Sequence, residues 1–308
     1  MNADSIVHTK QSGNSTMPKV SIIIISYNQE KFIADAILGA VHQDYENLEV
    51  IVSDDASSDK TSQIIGDLAL KYPRLIPLLN KQNGGITINC NRALRACSGE
   101  LITMIGGDDV MLPGKVTAQV GWFKSDLSRV LCGHLVESIC EDGSISLNQE
   151  ITNPVSRGYG PLNFLHRSDL LHCTSIMVRK SAIPEHGFDE AVTVASDYLF
   201  WVEVLMSGGE YGCVDGVYAQ RRGHAGSVTQ NQSKIFEDVE LSYRIIGERY
   251  PVYKKLSKKL IAEHVYYYQG GEFVKAGKKT KGRRYLLQSI ALRPLYPKAW
   301  FRLFQSFI

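Results

Sequence analysis

The chain has 308 residues, 44% of them hydrophobic and 21% charged, enough for one large α/β domain or a domain with an appendage. No apolar run approaches the ~20 residues that span a bilayer, and the polar segment 1–16 lacks the apolar stretch of a secretory signal. The net charge of +2 is uneven: residues 254–302 hold thirteen Lys or Arg against two Glu, a local +11, which leaves −9 for the rest.

Residues 1–17 read as a disordered extension ahead of the first strand. The run Val-Ser-Ile-Ile-Ile-Ile-Ser over 20–26 is the pattern of a strand buried on both faces. Residues 29–41 carry helical periodicity through Phe32, Ile33, Ala36, Ile37 and Ala40. A second buried strand over 48–53 ends at Asp54 and Asp55, and Ser57 or Ser58 is placed to cap a helix containing Thr61, Ile64, Ile65 and Leu68. A strand over 75–79, a turn at Asn83, Gly84 and Gly85, a helix over 87–96 and a strand over 101–105 follow. This alternation predicts a parallel sheet with right-handed crossovers. Beyond residue 130 the pattern weakens. A strand over 130–139, a turn over 141–143, a loop over 148–160, a strand over 175–178 and a helix over 197–206 are expected. From about 235 the chain reads as helical, with breaks at Pro251, Gly270, Gly271 and Gly277.

The acids at strand ends carry the chemistry. Leu-Ile-Thr-Met-Ile-Gly-Gly-Asp-Asp over 101–109 delivers Asp108 and Asp109 to the place where open α/β sheets bind ligands. Adjacent carboxylates repel unless a cation sits between them, and a divalent ion shared with a diphosphate is a common solution. Asp54 and Asp55 occupy the equivalent end of the second strand, where they can also serve simply as a helix cap. There is no GxGxxG after the first strand, no GxxxxGK[ST], no GxSxG and no HExxH. The six cysteines show no CxxC spacing and read as buried free thiols, which points to a reduced, cytoplasmic compartment.

Four segments in order resemble glycosyltransferase family 2. They are Val-Ser-Ile-Ile-Ile-Ile-Ser-Tyr-Asn over 20–28; Ser-Asp-Asp-Ala-Ser-Ser-Asp-Lys-Thr over 53–61; Asn83-Gly84-Gly85 with Asn91-Arg92-Ala93-Leu94 and Gly99-Glu100; and Gly107-Asp108-Asp109 with Pro113 and Lys115. The resemblance implies a GT-A fold over 18–233, a mostly parallel doubly wound sheet with helices on both faces, and a basic helical appendage over 234–308. It implies that Tyr27 and Asn28 line the nucleotide pocket, that Asp55 with Asp54 holds the base or ribose, and that Asn83 and Asn91 belong to the donor side. Asp109 or Asp108 would bind a divalent Mn or Mg ion and reach the ribose. Asp197, in Ala-Ser-Asp-Tyr over 195–198, would be the general base, although it can equally cap the following helix. The segment Arg-Gly-His-Ala-Gly-Ser over 222–227 resembles the family's R-x-H-x-x-S run. There His224 would complete the metal shell or touch the diphosphate, and Arg222 would neutralise phosphate charge.

Two departures stand out. Gly106 occupies the first acidic position of the commoner D-x-D-D motif, and Ser196 stands where an acid often precedes the base. The implied activity is inverting, metal-dependent transfer of a sugar from a nucleotide diphosphate, preferably UDP, to a glycan or polyprenyl-linked glycan in surface polysaccharide synthesis. A non-catalytic nucleotide-sugar module and a nucleotidyltransferase are the competing classes. The basic tail, with Tyr266, Tyr267, Tyr268, Tyr285, Trp300, Phe301 and Phe304 among its cations, is either a solvated helical surface or a membrane-docking one; no nucleic-acid motif accompanies it.

Overall fold

The computed structural model describes residues 17–146, 158–166, 172–228 and 231–307. Of the extension expected over 1–17 only Met17 falls among them, and the loop expected over 148–160 is described only from Gly158. The strands are β1 (Val20–Ser26), β2 (Leu48–Asp54), β3 (Leu75–Leu79), β4 (Leu101–Gly106), β5 (Val110–Met111), β6 (Arg129–Ile139), β7 (Gly158–Tyr159), β8 (Met177–Arg179) and β9 (Glu210–Arg222). Among the described residues they form one sheet in the order β3-β2-β1-β4-β8-β6-β9-β5, with β7 beside β9. β1 pairs in parallel with β2 on one side and β4 on the other, so the strand order reverses at this point. A crevice at the carboxyl ends of β1 and β4 follows from that reversal. The sheet is parallel in its first half and mixed beyond it, because β8 runs antiparallel to both β4 and β6.

The helices of the first half are α1 (Ile33–Val41), α2 (Thr61–Ala69), α3 (Ile86–Ala96) and α4 (Lys115–Lys124). Strand alternation sorts the core into two layers. Ile22, Ile24, Val50 and Val52 face α1 and its Ile33, Ala36 and Ile37. Ile23, Ile51 and Met104 face the layer that contains Cys90, Ala93 and Phe200. Both faces are covered, which is why β1 is apolar at every position but its serines. The first turn of α2 receives no cap from Ser57 or Ser58; Asp59 Oδ1 accepts from Thr61 N at 2.9 Å instead.

After α5 (Leu162–His166) comes α6 (Ser196–Met206), of which Tyr198 to Leu205 are buried. The C-terminal helices are α7 (Gln232–Arg249), α8 (Lys254–Leu260), a π turn (Ile261–Tyr266), α9 (Tyr267–Lys275), α10 (Lys279–Leu292) and α11 (Pro297–Gln305). Tyr243, Ile246, Leu260, Ile261 and Val265 belong to the same buried cluster as Phe200 and Leu131. The core therefore crosses the boundary expected at 233/234. Among the described residues, Leu286, Ile290, Ala299 and Leu303, between α10 and α11, form a separate small cluster.

Candidate functional site

The loops after β1, β2 and β4 converge. Asp55 N donates to the Ser26 carbonyl and Gly107 N to the Ile25 carbonyl, both at 2.9 Å. The ring of Tyr27 is half exposed at the end of β1. Asn28 adopts a left-handed backbone, and its side-chain oxygen accepts from Ser58 N at 2.8 Å. This ties the loop after β1 to the loop after β2.

Asp54 and Asp55 face inward. Asp54 accepts from Ser26 Oγ, Ser57 N, Ser57 Oγ and Ser62 Oγ, so both of its oxygens are occupied within the protein. Asp55 accepts from Gly84 N and Gly85 N at the start of α3 and pairs with Arg92 at 3.0 Å. A carboxylate at this end of a helix completes amides that have no intrahelical partner and meets the positive end of the dipole. Asn83 extends the same arrangement: its Nδ2 donates to the Asp55 carbonyl and its Oδ1 accepts from Gly85 N. Asn91 uses both ends of its amide on the segment after Gly187, donating to the Phe188 carbonyl and accepting from Phe188 N. Asp54 and Asn91 thus organise loops from buried positions, and Asn83 does so from an exposed one.

Asp108 and Asp109 have different partners. Asp109 is buried; its Oδ2 accepts from Thr174 Oγ1 at 2.5 Å and its Oδ1 from Arg222 N at 2.9 Å. Burial first, and the Asp108 charge second, raise its carboxyl well above the ordinary aspartate range. Asp108 is the member of the pair that reaches the crevice. Its Oδ2 lies 2.9 Å from His224 Nε2, with 20% and 11% of the two side chains exposed. Gly226 N donates to His224 Nδ1, so Nε2 is the ring nitrogen that faces the carboxylate. Gly106 makes this orientation possible: a Cβ there would stand 2.5 Å from Asp108 Oδ1.

Arg222 is nearly buried and held on several sides. Its Nε donates to the Asp108 carbonyl, its Nη1 to the Glu141 carbonyl, and its Nη2 pairs with Asp35 at 3.3 Å. The guanidinium also lies over the Phe32 ring, and Phe32 in turn touches His224. Arg222 thus braces the Asp108–His224 pair, and with Phe32, Asp35 and Glu141 it lines a surface pocket.

Asp197 is the second residue of α6, whose N-cap is Ala195, so the alternative of an N-cap role does not hold. Its Oδ1 accepts from the adjacent Tyr198 N at 2.9 Å, and burial raises its carboxyl. Burial first, and the charges of Asp197 and Asp55 after it, push the Cys90 thiol up to about 12. The Cys173 thiol is raised by burial and then by Asp197, Cys90 and Asp109. Ser196, in place of an acid, lies 2.9 Å from Thr87 Oγ1, a buried hydroxyl contact that a charge could not make without cost.

A divalent ion needs oxygen or imidazole ligands. Among the described residues no group of three or more His, Cys, Asp or Glu is gathered to hold one alone. Asp108 and His224 supply two suitable donors, which fits an ion completed by substrate phosphates, the usual arrangement for Mg²⁺. Sequence reading missed Thr174 and Arg92 as partners of the acids and Asp35 as a partner of Arg222, because nothing in their local sequence marks them. It also missed β9, whose Gly212, Gly216 and charged residues break up the apolar run.

The glycosyl transferase family 2 model matches residues 21–187, more than half of the chain. The chain belongs to glycosyltransferase family 2. A protein of Mycobacterium tuberculosis is 41% identical over 128 residues, 41% of this chain and 37% of that protein. The chondroitin synthase of Escherichia coli is 28% identical over 192 residues, 61% of this chain and 26% of the synthase. This chain thus matches well under half the length of these two relatives. The structure of S. aureus TarS in complex with UDP-GlcNAc superposes with a TM-score of 0.62 at 18% identity, covering 94% of this chain and 89% of that one. The mannosyltransferase PcManGT of Pyrobaculum calidifontis, in complex with GDP-Man and Mn²⁺, gives 0.59 at 18%, covering 95% and 81%. The fold of this glycosyltransferase is GT-A, with a helical C-terminal region.

Proposed function

We propose that this family 2 glycosyltransferase moves a sugar, with inversion, from a UDP-linked donor to a hydroxyl of a glycan or polyprenyl-linked glycan in surface polysaccharide synthesis. The observation that carries the reading is the Asp108–His224 pair after β4, where strand order reverses, 2.9 Å apart and partly exposed. The UDP-GlcNAc and Mn²⁺ bound by the two similar structures support the donor class and the ion. Asp108 and His224 would hold the cation, which supplies positive charge against the leaving diphosphate. Tyr27 offers an exposed ring on which a base can stack. Asp55 acts through the Asn83–Gly85 loop that it fixes.

Asp197 takes the proton of the acceptor hydroxyl. The freed oxygen attacks the anomeric carbon from the face opposite the diphosphate, the bond from that carbon to the diphosphate breaks, and UDP leaves. Burial suits Asp197 to this task, because a raised pKa makes it a stronger base than an ordinary aspartate. Calorimetry of UDP and GDP with and without Mn²⁺ tests the donor half. UDP binding indifferent both to Mn²⁺ and to Asp108→Ala would sink the site. NMR of the product anomer tests inversion.

A further inference from the structure

The C-terminal hairpin of α10 and α11 carries an exposed aromatic face beside a cluster of cations. Ala299 and Leu303 turn α11 toward Leu286 and Ile290 of α10. Away from that seam Trp300, Phe301 and Phe304 are 51%, 64% and 67% exposed, and Phe307 in the turn after the helix is 64% exposed. Leu295, just before α11, is 91% exposed. At 100° per residue Trp300, Phe301 and Phe304 fall within about one third of the helix circumference, so they make one face. The indole N–H of Trp300 is already satisfied by the Pro294 carbonyl at 2.8 Å, which leaves the ring with no polar demand of its own.

The charge stands next to this face. Arg283 donates to the Ser306 carbonyl at 2.6 Å and lies 3.9 Å over the Phe307 ring, so the start of α10 abuts the end of α11. That start presents Lys278, Lys279, Lys281 and Arg284, all exposed, and Lys298 is exposed on α11. Other tail residues are engaged within the protein. Tyr266 donates to Glu240, Arg302 covers Tyr267, and Arg293 pairs with Glu263. Lys254, Lys255 and Lys258 of α8 are exposed as well, but the exposed aromatic face lies with the α10 cations.

We propose that this patch docks the enzyme on an anionic phospholipid bilayer, the rings of α11 entering the headgroup region and the α10 cations meeting the lipid charge. Apolar insertion and electrostatic attraction act together on such surfaces, and each alone is weak. The sign of the patch selects this occupant: a second copy of the chain would bring like charge to like charge. Among the described residues no helix is long and apolar enough to cross a membrane. The proposal is independent of the transfer reaction.

Co-sedimentation with phosphatidylglycerol vesicles and with pure phosphatidylcholine vesicles, at low and high salt, tests it. The full chain is expected with the anionic vesicles at low salt and released at high salt. Combined Trp300→Ser, Phe301→Ser and Phe304→Ser should lower the partition coefficient by about tenfold or more, as should combined Lys278→Glu, Lys279→Glu and Arg284→Glu. The far-UV circular dichroism of both variants should match the parent. Equal binding to neutral vesicles, or parent-like sedimentation of either variant, overturns the proposal. So does light scattering that shows a parent dimer and a monomeric serine variant with no vesicle binding, and so does binding confined to a single-stranded oligonucleotide.

Discussion

Gly106 stands where the family's commoner motif carries an acid, and its missing side chain gives Asp108 Oδ1 the space it occupies. Gly106→Ala should displace Asp108 from His224 and weaken Mn²⁺-dependent UDP binding by about tenfold, roughly 1.4 kcal/mol. Unchanged calorimetric affinity would mean that the pair does not hold the ion. The two acids should separate in the same assay. Asp108→Ala is expected to abolish the Mn²⁺ dependence. Asp109→Ala removes acceptors from Thr174 and Arg222 N and should lower stability by about 1–3 kcal/mol in denaturant titration. Asp197→Asn should keep UDP binding and reduce transfer by about 10²–10⁴-fold. Because burial raises the Asp197 carboxyl, the rate of the parent should fall as pH drops through a value above the ordinary aspartate pKa of about 3.9. A rate profile flat through that window would place the base elsewhere.

Among the elements, β5 and β9 decide the site. Their antiparallel register, Val110 with Gln220 and Met111 with Ala219, carries Arg222 and His224 back to Asp108 across more than a hundred residues. At the opposite end of the sheet Glu49 joins β1, β2 and the turn before β4, accepting from Ser21 Oγ, Ser98 N and Ser98 Oγ and pairing with Lys19. Burial alone would raise its carboxyl, but the hydrogen bonds from Lys19, Ser21 and Ser98 outweigh it and hold the pKa at about 2. The folded pKa is depressed, so this stabilisation is present above the unfolded value and lost as pH falls through about 2. Glu49→Gln should therefore flatten the stability loss between about pH 4.5 and 2 in denaturant titrations. An unaltered acid limb would refute the clamp. At α6 the buried Asp238 of α7 accepts from Val194 N and Ala195 N at 2.6 and 3.1 Å, with Lys234 on its other oxygen at 3.1 Å. Asp238→Ala should cost about 1–2 kcal/mol, the value of a helix cap, and lower transfer while sparing UDP affinity.

At the scale of the whole molecule, the core layer on one face of the sheet runs on into the π turn and helices α7 and α8. Truncation after Arg249 would expose the partners of Leu260, Ile261 and Val265, and such a chain should lose its cooperative thermal transition. Removal of 297–308 takes away only the small cluster with Ala299 and Leu303, and the transition should persist within a few degrees by calorimetry. If both truncations melt alike, the C-terminal helices are not part of the catalytic fold.

Local sequence was enough to determine β1, β2 and β4 and the helices between them. Their hydrophobic periodicity is complete within each segment, and parallel pairing of adjacent units follows from it. It also determined the family, since four short motifs survive in order. It could not determine which acid faces the crevice. Asp108 and Asp109 are equivalent as neighbours in the chain, and only Thr174 and Arg222 N, delivered from distant strands, turn Asp109 inward. It could not tell that Asp54 and Asn91 serve loops, because hydrogen-bond partners 28 and 97 residues away leave no local mark. Nor could it choose, among the many cations and rings of the tail, those that remain at the surface. That choice belongs to tertiary packing, which gives each side chain a partner or leaves it facing solvent.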